Sequence, residues 1–309
     1  RGKPVNAGFV WNRFTYALDL TNPDALQYVC KVIRTAVNDW GFEYLKLDFL
    51  YAAALKGVFQ DQTRTRAQVL RMGLEALREA AGPDVTMLAC GCPLGSALGL
   101  FEAMRISADV SGHWNPHFPP VSPILKNEPH MPSARNALHN IITRAHLHRH
   151  WWINDPDCLL VRPDTELTLA EVQTLATAIG LTGGSLLLSD DLPQLSKERL
   201  KIAQVLLPVI DQRARVMDWF DSEIPQRLRV DLDGPAGDWY LLAGFNWTDE
   251  PASLTFSPSD FALPEDEIWW AREFWLGTIE QIRYDSPKNF NTVPAHEVRV
   301  IAVRHYKDE

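Results

Sequence analysis

The sequence predicts an α/β protein whose parallel sheet is followed by an all-β region. Strand-like and helix-like segments alternate through about the first 210 of its 309 residues, which is typical of repeated strand–helix units. After residue 210, short strand-like runs are separated by Pro, Gly, Asp and Asn, and no helix is evident. We therefore expect a domain with a parallel sheet over residues 1–210 and an antiparallel β-sandwich domain over residues 211–309.

The predicted strands of the first domain are short apolar or aromatic runs, as expected for strands that are buried on both faces. They cover residues 7–11, 44–50, 85–90, 103–110, 151–153 and 185–188. The helices between them carry start and stop signals. Asn22 followed by Pro23 predicts a helix that runs to about residue 39 and ends at Gly41. The other helices are predicted over residues 63–81, 133–150, 168–181 and 196–209.

The second domain is predicted from runs of β-branched and aromatic residues between turn-forming residues. These runs cover residues 228–230, 239–245, 253–256, 268–275 and 298–303. Because they follow one another without helices, neighbouring strands are expected to pair antiparallel.

Polar side chains recur where the predicted parallel strands end: Asp48, Cys90, Asp109, Asp155 and Asp190. In a closed barrel of eight strand–helix units, the carboxyl-terminal face carries the active site, which is formed by several strand ends. A doubly wound sheet concentrates its site at one switch point instead. Polar side chains at several strand ends favour the barrel. However, only six strand units are evident, whereas a barrel has eight. Either two units are missing at the N-terminus or the sheet is open.

Two charges of opposite sign interrupt the apolar run of the second strand. Lys46 and Asp48 are two residues apart, so the period of a strand places them on the same face. An uncompensated buried ion is costly, so charges at such positions are not there for stability. A carboxylate beside a lysine at a strand end is typical of a nucleophile or an electrostatic stabiliser.

The fourth predicted strand carries a similar pattern, because Arg105, Ser107 and Asp109 share one face by the same period. Two carboxylates that face each other across a pocket are the minimum apparatus for glycoside hydrolysis: one attacks the anomeric carbon and the other protonates the leaving oxygen. The alternative is structural, namely two ion-paired aspartates that complete the sheet. The pattern alone leaves both interpretations open.

Three motifs resemble clan D glycoside hydrolases (families 27 and 36), the α-galactosidase or melibiase group, and they occur in the family's order. They are the Lys-x-Asp strand, the Arg-x-x-x-Asp strand and the run Trp-Ile-Asn-Asp-Pro-Asp-Cys-Leu at residues 152–159. The resemblance implies that Asp48 is the nucleophile and Asp109 the acid/base. It also implies that Lys46 and Arg105 bind the sugar.

Other positions acquire expected roles from the same resemblance. Asp155 belongs to the family's Asn-Asp-Pro-Asp motif, Cys90 lies where fifth-strand site residues fall, and Trp11 lies on the third-strand segment that supplies an aromatic wall. We also expect Trp114, in the long loop over residues 111–132, to stack on a sugar. The alternatives are a structural network for Asp155 and a packed aromatic anchor for Trp114.

The resemblance implies a (β/α)8 TIM-barrel catalytic domain that lacks its first two βα units in this chain, followed by the C-terminal β-sandwich. The expected function is that of a retaining exo-α-glycosidase, α-galactosidase-like, whose partner is an oligosaccharide or α-glycoside. Galactose specificity is less firmly implied, because the loop Cys-Gly-Cys-Pro-Leu-Gly at residues 90–95 departs from the family's Cys-Ser-Gly-Gly-type run. The alternatives are a non-catalytic carbohydrate-binding fragment and a transglycosylase on the same scaffold.

Composition excludes several other classes. The net charge of −9 argues against nucleic acid or an anionic membrane as partner. No run of 18 apolar residues and no signal-peptide core is evident. The four cysteines are too few for a disulfide framework, so we expect a cytoplasmic protein with free thiols. No metal-ligand spacing or phosphate-binding loop stands out, so neither a metal nor another cofactor is expected. A homo-oligomer is left open.

Overall fold

The computed structural model describes residues 2–10, 12–235, 237–264, 267–283 and 286–305. Its contacts divide the chain into two units. The first unit contains Arg1–Ile106 together with Arg149–Asn154, and the second contains Ser107–His148 together with Asp155–Glu309.

The first unit begins with an antiparallel hairpin and a helix. The hairpin consists of β1 (Asn6–Val10) and β2 (Arg13–Tyr16). Helix α1 (Pro23–Arg34) continues as one π-helical stretch over Thr35–Asp39. The side chain of Asn22 accepts hydrogen bonds from the backbone N–H groups at the helix start, and Gly41 has a φ of +75°. Both the predicted start signal and the predicted stop signal of this helix are therefore confirmed.

A four-stranded sheet forms the centre of the first unit. Its strands are β3 (Tyr44–Leu47), β4 (Thr86–Ala89), β5 (Ala103–Arg105) and β6 (Ile153–Asp155), and they lie in that order. The pairs β3–β4 and β4–β5 are parallel. Helix α2 (Arg66–Ala81) connects β3 to β4 and starts with a capping box between Thr65 and Gln68.

Three strand predictions of the first unit are corrected. The segment 7–11 was expected to be a buried strand, but β1 is half-exposed because only a two-stranded hairpin forms there. The Tyr44 strand was expected to be buried on both faces, but β3 is half-exposed because it is an outermost strand of its sheet. The strand predicted over residues 103–110 ends at Arg105, so the alternation of a strand does not reach Asp109.

The first part of the second unit is mainly helical. It contains α3 (Ser122–Leu125), α4 (Ala134–Thr143), α5 (Leu169–Thr182) and α6 (Lys197–Gln204). Two short strands, β7 (Cys158–Leu159) and β8 (Leu187–Leu188), pair in parallel on either side of α5 in the sequence. The predicted helices are confirmed, although each is shorter than expected at its C-terminal end or shifted by a residue.

The second part of this unit is β-rich, as predicted. Its strands are β9 (Arg215–Val216), β10 (Arg227–Leu232), β11 (Trp239–Phe245), β12 (Ala252–Phe256), β13 (Ile268–Glu273), β14 (Ile279–Arg283), β15 (Lys288–Val293) and β16 (Val298–His305). Six of them form one antiparallel sheet in the order β14-β13-β16-β11-β10-β9, and β12 pairs with β15.

The six-stranded sheet contributes to two apolar cores. Leu241 of β11 and Val300 of β16 pack with residues of α4 and α5 on one face. On the other face, Leu242 and Ile301 pack with Phe256 and other residues of the β12–β15 side. Because alternate residues along one strand point to opposite faces, β11 and β16 serve both cores.

Candidate active site

The register of the parallel sheet brings three predicted site residues into one row. Leu47 pairs with Ala89, and Ala89 pairs with Met104. The next residue of each strand is Asp48, Cys90 and Arg105, respectively. Because neighbouring parallel strands run in the same direction, these three residues lie side by side at the carboxyl-terminal edge of the sheet. The carboxylate, the thiol and the guanidinium are therefore neighbours.

Cys90 is the buried centre of this row. Burial raises the pKa of its thiol to about 12, while the positive charges of Arg105 and Lys46 act in the opposite direction. A hydrogen bond with the side chain of Asp48, and the charge of that carboxylate, raise the pKa further. The thiol is therefore neutral at ordinary pH and donates its hydrogen bond to the Asp48 carboxylate.

A tight turn fixes Asp48 just after β3. Phe49 is in the left-handed region with a φ of +56°, and its N–H donates to Oδ1 of Asp48 at 2.7 Å. The N–H of Tyr51 donates to the carbonyl of Gly91 at 2.7 Å, so the segments after β3 and β4 are held together. Gly91 has a φ of +53°, and a Cβ there would lie 3.1 Å from the Phe49 nitrogen and 3.3 Å from Oδ1 of Asp48. Only glycine fits this close approach without strain.

Asp109, the predicted acid/base, lies in the second unit. Its side chain is exposed, and its carbonyl accepts a hydrogen bond from the N–H of Ser133, the cap of α4, at 3.0 Å. The N–H of Val110, the next residue, donates to Oδ2 of Asp157 at 2.8 Å. The Ser107 hydroxyl donates to the carbonyl of Pro156 at 3.0 Å. The backbone around Asp109 is thus attached to α4 on one side and to the Asn-Asp-Pro-Asp motif on the other.

Asp155 is fully buried within that motif. Its Oδ1 accepts a hydrogen bond from the N–H of Asp157 at 2.9 Å. Asp157 itself has a φ of +77°. These contacts favour a structural role for Asp155. Its carboxylate binds the backbone of Asp157, and the Asp157 carboxylate in turn binds the N–H of Val110.

Trp114 is also buried, with 8% of its surface exposed. Its ring stacks on His296 with centroids 4.1 Å apart, and its carbonyl accepts a hydrogen bond from the N–H of Arg135 at 3.0 Å. This geometry favours the packed anchor over the sugar platform, because a buried face cannot stack on a ligand. Trp11 lies outside the described residues.

Lys46, Asp48, Cys90 and Arg105 are therefore brought together in the first unit, whereas Asp109, Trp114 and Asp155 belong to the second. No local sequence pattern predicted a role for His296, which contacts Glu171 and Asp249 as well as Trp114. Nothing in the local sequence marks these residues as neighbours, because 125 residues separate His296 from Glu171.

Across the described ranges, no three His, Cys, Asp or Glu side chains are grouped so that they could hold a metal ion. The helices described here are all too short or too polar to cross a membrane.

A carboxylate, a lysine and an arginine at the carboxyl-terminal edge of a parallel sheet are the kind of site that acts on a polar substrate. Solved structures that are similar to this chain define the class of protein more closely. The α-galactosidase of Thermus thermophilus in complex with stachyose is 33% identical, with a TM-score of 0.58 over 67% of this chain and 43% of that chain. The same enzyme in complex with p-nitrophenyl α-D-galactopyranoside is 32% identical, with a TM-score of 0.61 over 74% of this chain and 44% of that chain.

A more distant structure extends the similarity of fold. α-Galactosidase I of Mortierella vinacea is 17% identical, with a TM-score of 0.66 over 90% of this chain and 71% of that chain. No protein-family model matches the sequence. The chain is thus similar to α-galactosidases, and the resemblance seen in its motifs is confirmed. It spans less than half the length of the Thermus enzyme.

Proposed function

We propose that this chain carries the catalytic residues of a retaining α-galactosidase that removes terminal α-linked galactose. The observation that supports it best is the row Asp48, Cys90 and Arg105 at the carboxyl-terminal edge of the parallel sheet, with Lys46 beside it. The similarity to an α-galactosidase that was solved with stachyose and with a nitrophenyl galactoside supports the choice of sugar.

In the proposed mechanism, a carboxylate oxygen of Asp48 attacks C1 of the galactosyl unit. The bond from C1 to the glycosidic oxygen breaks, and that oxygen takes the proton of Asp109. Water then attacks C1, the bond from C1 to Asp48 breaks, and Asp109 accepts a proton from the water. Two displacements at C1 leave the configuration as it was, as in other retaining enzymes.

The neighbours of Asp48 have supporting roles in this proposal. Lys46 and Arg105 place positive charge beside the attacking carboxylate and provide donors for sugar hydroxyls. The Cys90 thiol donates to the same carboxylate and so fixes its orientation. A nucleophile held by several donors starts close to its reactive geometry.

We further propose the architecture that the resemblance implies: a (β/α)8 barrel to which residues 1–210 contribute, and a β-sandwich over residues 211–309. The parallel pairing of β3, β4 and β5 and the antiparallel sheet of β10, β11, β13 and β16 support this assignment. The similarity of fold to the Mortierella enzyme over 90% of this chain also supports it.

Hydrolysis of p-nitrophenyl α-galactoside, followed by ¹H NMR of the sugar first released, tests the function and the mechanism together. We expect α-galactose to appear first and to mutarotate to the β-anomer afterwards. Release of β-galactose first would contradict retention. No hydrolysis of any nitrophenyl α-glycoside by the wild-type protein would contradict the enzymatic function.

Azide separates the roles of the two carboxylates. In Asp48→Gly, azide attacks C1 directly with one inversion, so β-galactosyl azide is expected. In Asp109→Gly, azide attacks the galactosyl–enzyme formed on Asp48, so α-galactosyl azide is expected. The same azide product from both variants would contradict the assignment. The buried Asp155→Gly variant is the control, for which no azide product is expected.

A non-catalytic carbohydrate-binding role is the second candidate, because Lys46 on an outermost strand and Asp48 directly after it are both exposed. Calorimetric titration with stachyose distinguishes the two. Binding without any product favours the binding role, and release of galactose favours hydrolysis. A transglycosylase would instead yield longer saccharides when an acceptor sugar is added.

A further inference from the structure

A groove on the second unit has the features of a separate saccharide-binding site. It has a volume of about 520 Å³ and is lined by residues of α5, α6 and the six-stranded sheet. All of its lining residues belong to the second unit, whereas the row around Asp48 belongs to the first. Neither Asp48 nor Asp109 lines the groove, so it contains none of the residues to which the catalytic steps are assigned.

The sheet register explains why a groove forms there. Arg272 of β13 pairs with Ala302 of β16, and Ala302 pairs with Leu241 of β11. These three side chains therefore share one face, as does Trp239, two residues before Leu241. The small Ala302 forms the floor, while larger side chains on β13 and β11 form the two walls.

Aromatic rings provide the walls of this groove. Trp239 and Phe274 are 36% and 41% exposed, and both line the groove with Trp275. The rings of Phe274 and Trp275 meet edge to face at 5.0 Å, and the indole N–H of Trp275 donates to the Thr177 hydroxyl. Trp275 is therefore held in place, while Trp239 offers an accessible flat face. Such faces suit the apolar C–H surface of a pyranose ring.

The same groove also contains polar side chains that can bind the hydroxyl groups of a sugar. The side chains of Gln173, Glu198, Lys201 and Arg272 line it. Glu198, Lys201 and Arg272 are exposed, so they are accessible to a ligand. Together they supply both donors and acceptors, and the carboxylate of Glu198 offsets one of the two positive charges. A ligand with many hydroxyl groups fits this mixture of donors, acceptors and aromatic faces better than an apolar peptide does.

We propose that this groove is a second binding site for neutral oligosaccharides, with Trp239 stacking on a sugar ring and Glu198 and Arg272 binding its hydroxyls. A site of this kind would bind a polymeric substrate while the proposed catalytic residues act on its terminal galactosyl groups. The inference rests on the proposed function only in the choice of a galactose-bearing saccharide.

Affinity electrophoresis through gels with and without galactomannan, a polymer with α-linked galactosyl side groups, tests the inference. We expect the wild-type protein to be retarded. The dissociation constant is expected to rise about tenfold or more in Trp239→Ala and in Arg272→Ala. Trp270→Ala is the matched control, because Trp270 is 43% exposed on the same strand as Arg272 but does not line the groove. Circular dichroism checks that each variant is folded.

The outcomes separate this inference from the proposed function. Wild-type retardation that persists unchanged in folded Trp239→Ala and Arg272→Ala would overturn the second site, as would a wild-type protein that galactomannan does not retard. Hydrolysis of p-nitrophenyl α-galactoside, which is too small to need the groove, should be unchanged in both variants. Loss of that hydrolysis in these variants would also overturn a separate site. A wild-type protein that is retarded but hydrolyses no α-galactoside would refute the function alone.

Discussion

Nδ1 of His296 lies 2.7 Å from Oε1 of Glu171, and this contact connects the loop before β16 to the start of α5. The other carboxylate oxygen of Glu171 accepts the N–H of Thr168 at 2.8 Å and so completes the capping box of the helix. Nε2 of His296 lies 3.0 Å from Oδ1 of Asp249, and Trp114 stacks on the ring. One imidazole thus connects three separate segments of the second unit.

This contact makes the stability of the second unit depend on pH. Burial lowers the pKa of His296, but its hydrogen bonds and charge interactions with Glu171 and Asp249 outweigh burial and raise that pKa above its ordinary value. The hydrogen bond with His296 lowers the pKa of Asp249, and the charges of Lys126 and Arg135 lower it further. Because the folded-state pKa of His296 is raised, its stabilisation is complete below the unfolded value of about 6.5 and is lost as the pH rises through the folded value.

We therefore expect His296→Gln to reduce the free energy of unfolding by about 1–2 kcal/mol near pH 6 and by less at pH 9. Urea unfolding of both proteins between pH 5.5 and pH 9 measures the difference. A difference that stays constant over this range would show that the contribution of His296 is packing on Trp114 rather than charge.

Gly91→Ala should damage both stability and activity. The new Cβ would lie 3.1 Å from the Phe49 nitrogen, and the φ of +53° disfavours any side chain. We expect a loss of about 1–2 kcal/mol in unfolding free energy and a decrease in kcat of tenfold or more, because Asp48 must shift. Gly95→Ala is the control: nothing lies within 4 Å of a Cβ there, so its activity should match that of the wild type. Equal kcat values for the two variants would contradict the close packing at Gly91.

Cys90 should influence turnover through its hydrogen bond to Asp48. Cys90→Ala removes the donor, and a hydrogen bond to a charged group contributes about 1.5–3 kcal/mol, so we expect kcat to fall about tenfold or more. Cys90→Ser keeps a donor and should recover most of that loss. If both variants lose only substrate affinity, with KM raised and kcat unchanged, Cys90 contacts the sugar rather than positioning the nucleophile.

The same thiol should resist alkylation. Burial raises the pKa of Cys90 to about 12 and that of Cys92 to about 11, and the thiolate is the reactive form. We expect iodoacetamide at pH 8 to leave both unmodified in the folded protein, as shown by mass spectrometry, and to modify both in urea. Rapid modification of Cys90 in the native protein would contradict its burial.

Asp157 should act on catalysis through the backbone next to Asp109. Its Oδ2 accepts the N–H of Val110 at 2.8 Å, and it is itself nearly buried. Asp157→Ala is expected to lower kcat about tenfold, because a shift of about 1 Å in a catalytic group costs far more than the contact itself. Asp164→Ala, at a carboxylate that is 77% exposed, should change nothing. Unchanged kcat in Asp157→Ala would show that Asp109 needs no such support.

Local signals in the sequence predicted much of this structure. The start of α1 at Asn22 and the position of Lys46 and Asp48 at one strand end follow from capping and from the period of a strand, both of which act within a few residues. The region of β11 was predicted without error, because its continuous apolar run coincides with burial on both faces. β14 and β15 were missed, since outer strands with runs such as Glu-Gln or Asn-Phe-Asn carry little apolar signal.

Features that depend on distant residues could not be predicted in this way. The segment 103–110 is apolar enough for a long strand, but β5 ends at Arg105, where its pairing with β4 ends. The contact between His296 and Glu171 depends on how β16 packs near α5. The position of Trp114 in a long loop predicts that its ring stacks on a sugar. Only the tertiary structure shows that the face of this ring is covered by His296.

The outer position of β3 has a consequence for how this protein works in solution. An outermost strand offers backbone groups to any other strand that approaches it, and Lys46 and Asp48 belong to this one or follow it directly. A chain that pairs with β3 would therefore become part of the surroundings of Asp48, the proposed nucleophile. Turnover per molecule would then vary with protein concentration, and an excess of a competing strand would act as an inhibitor without resembling a sugar.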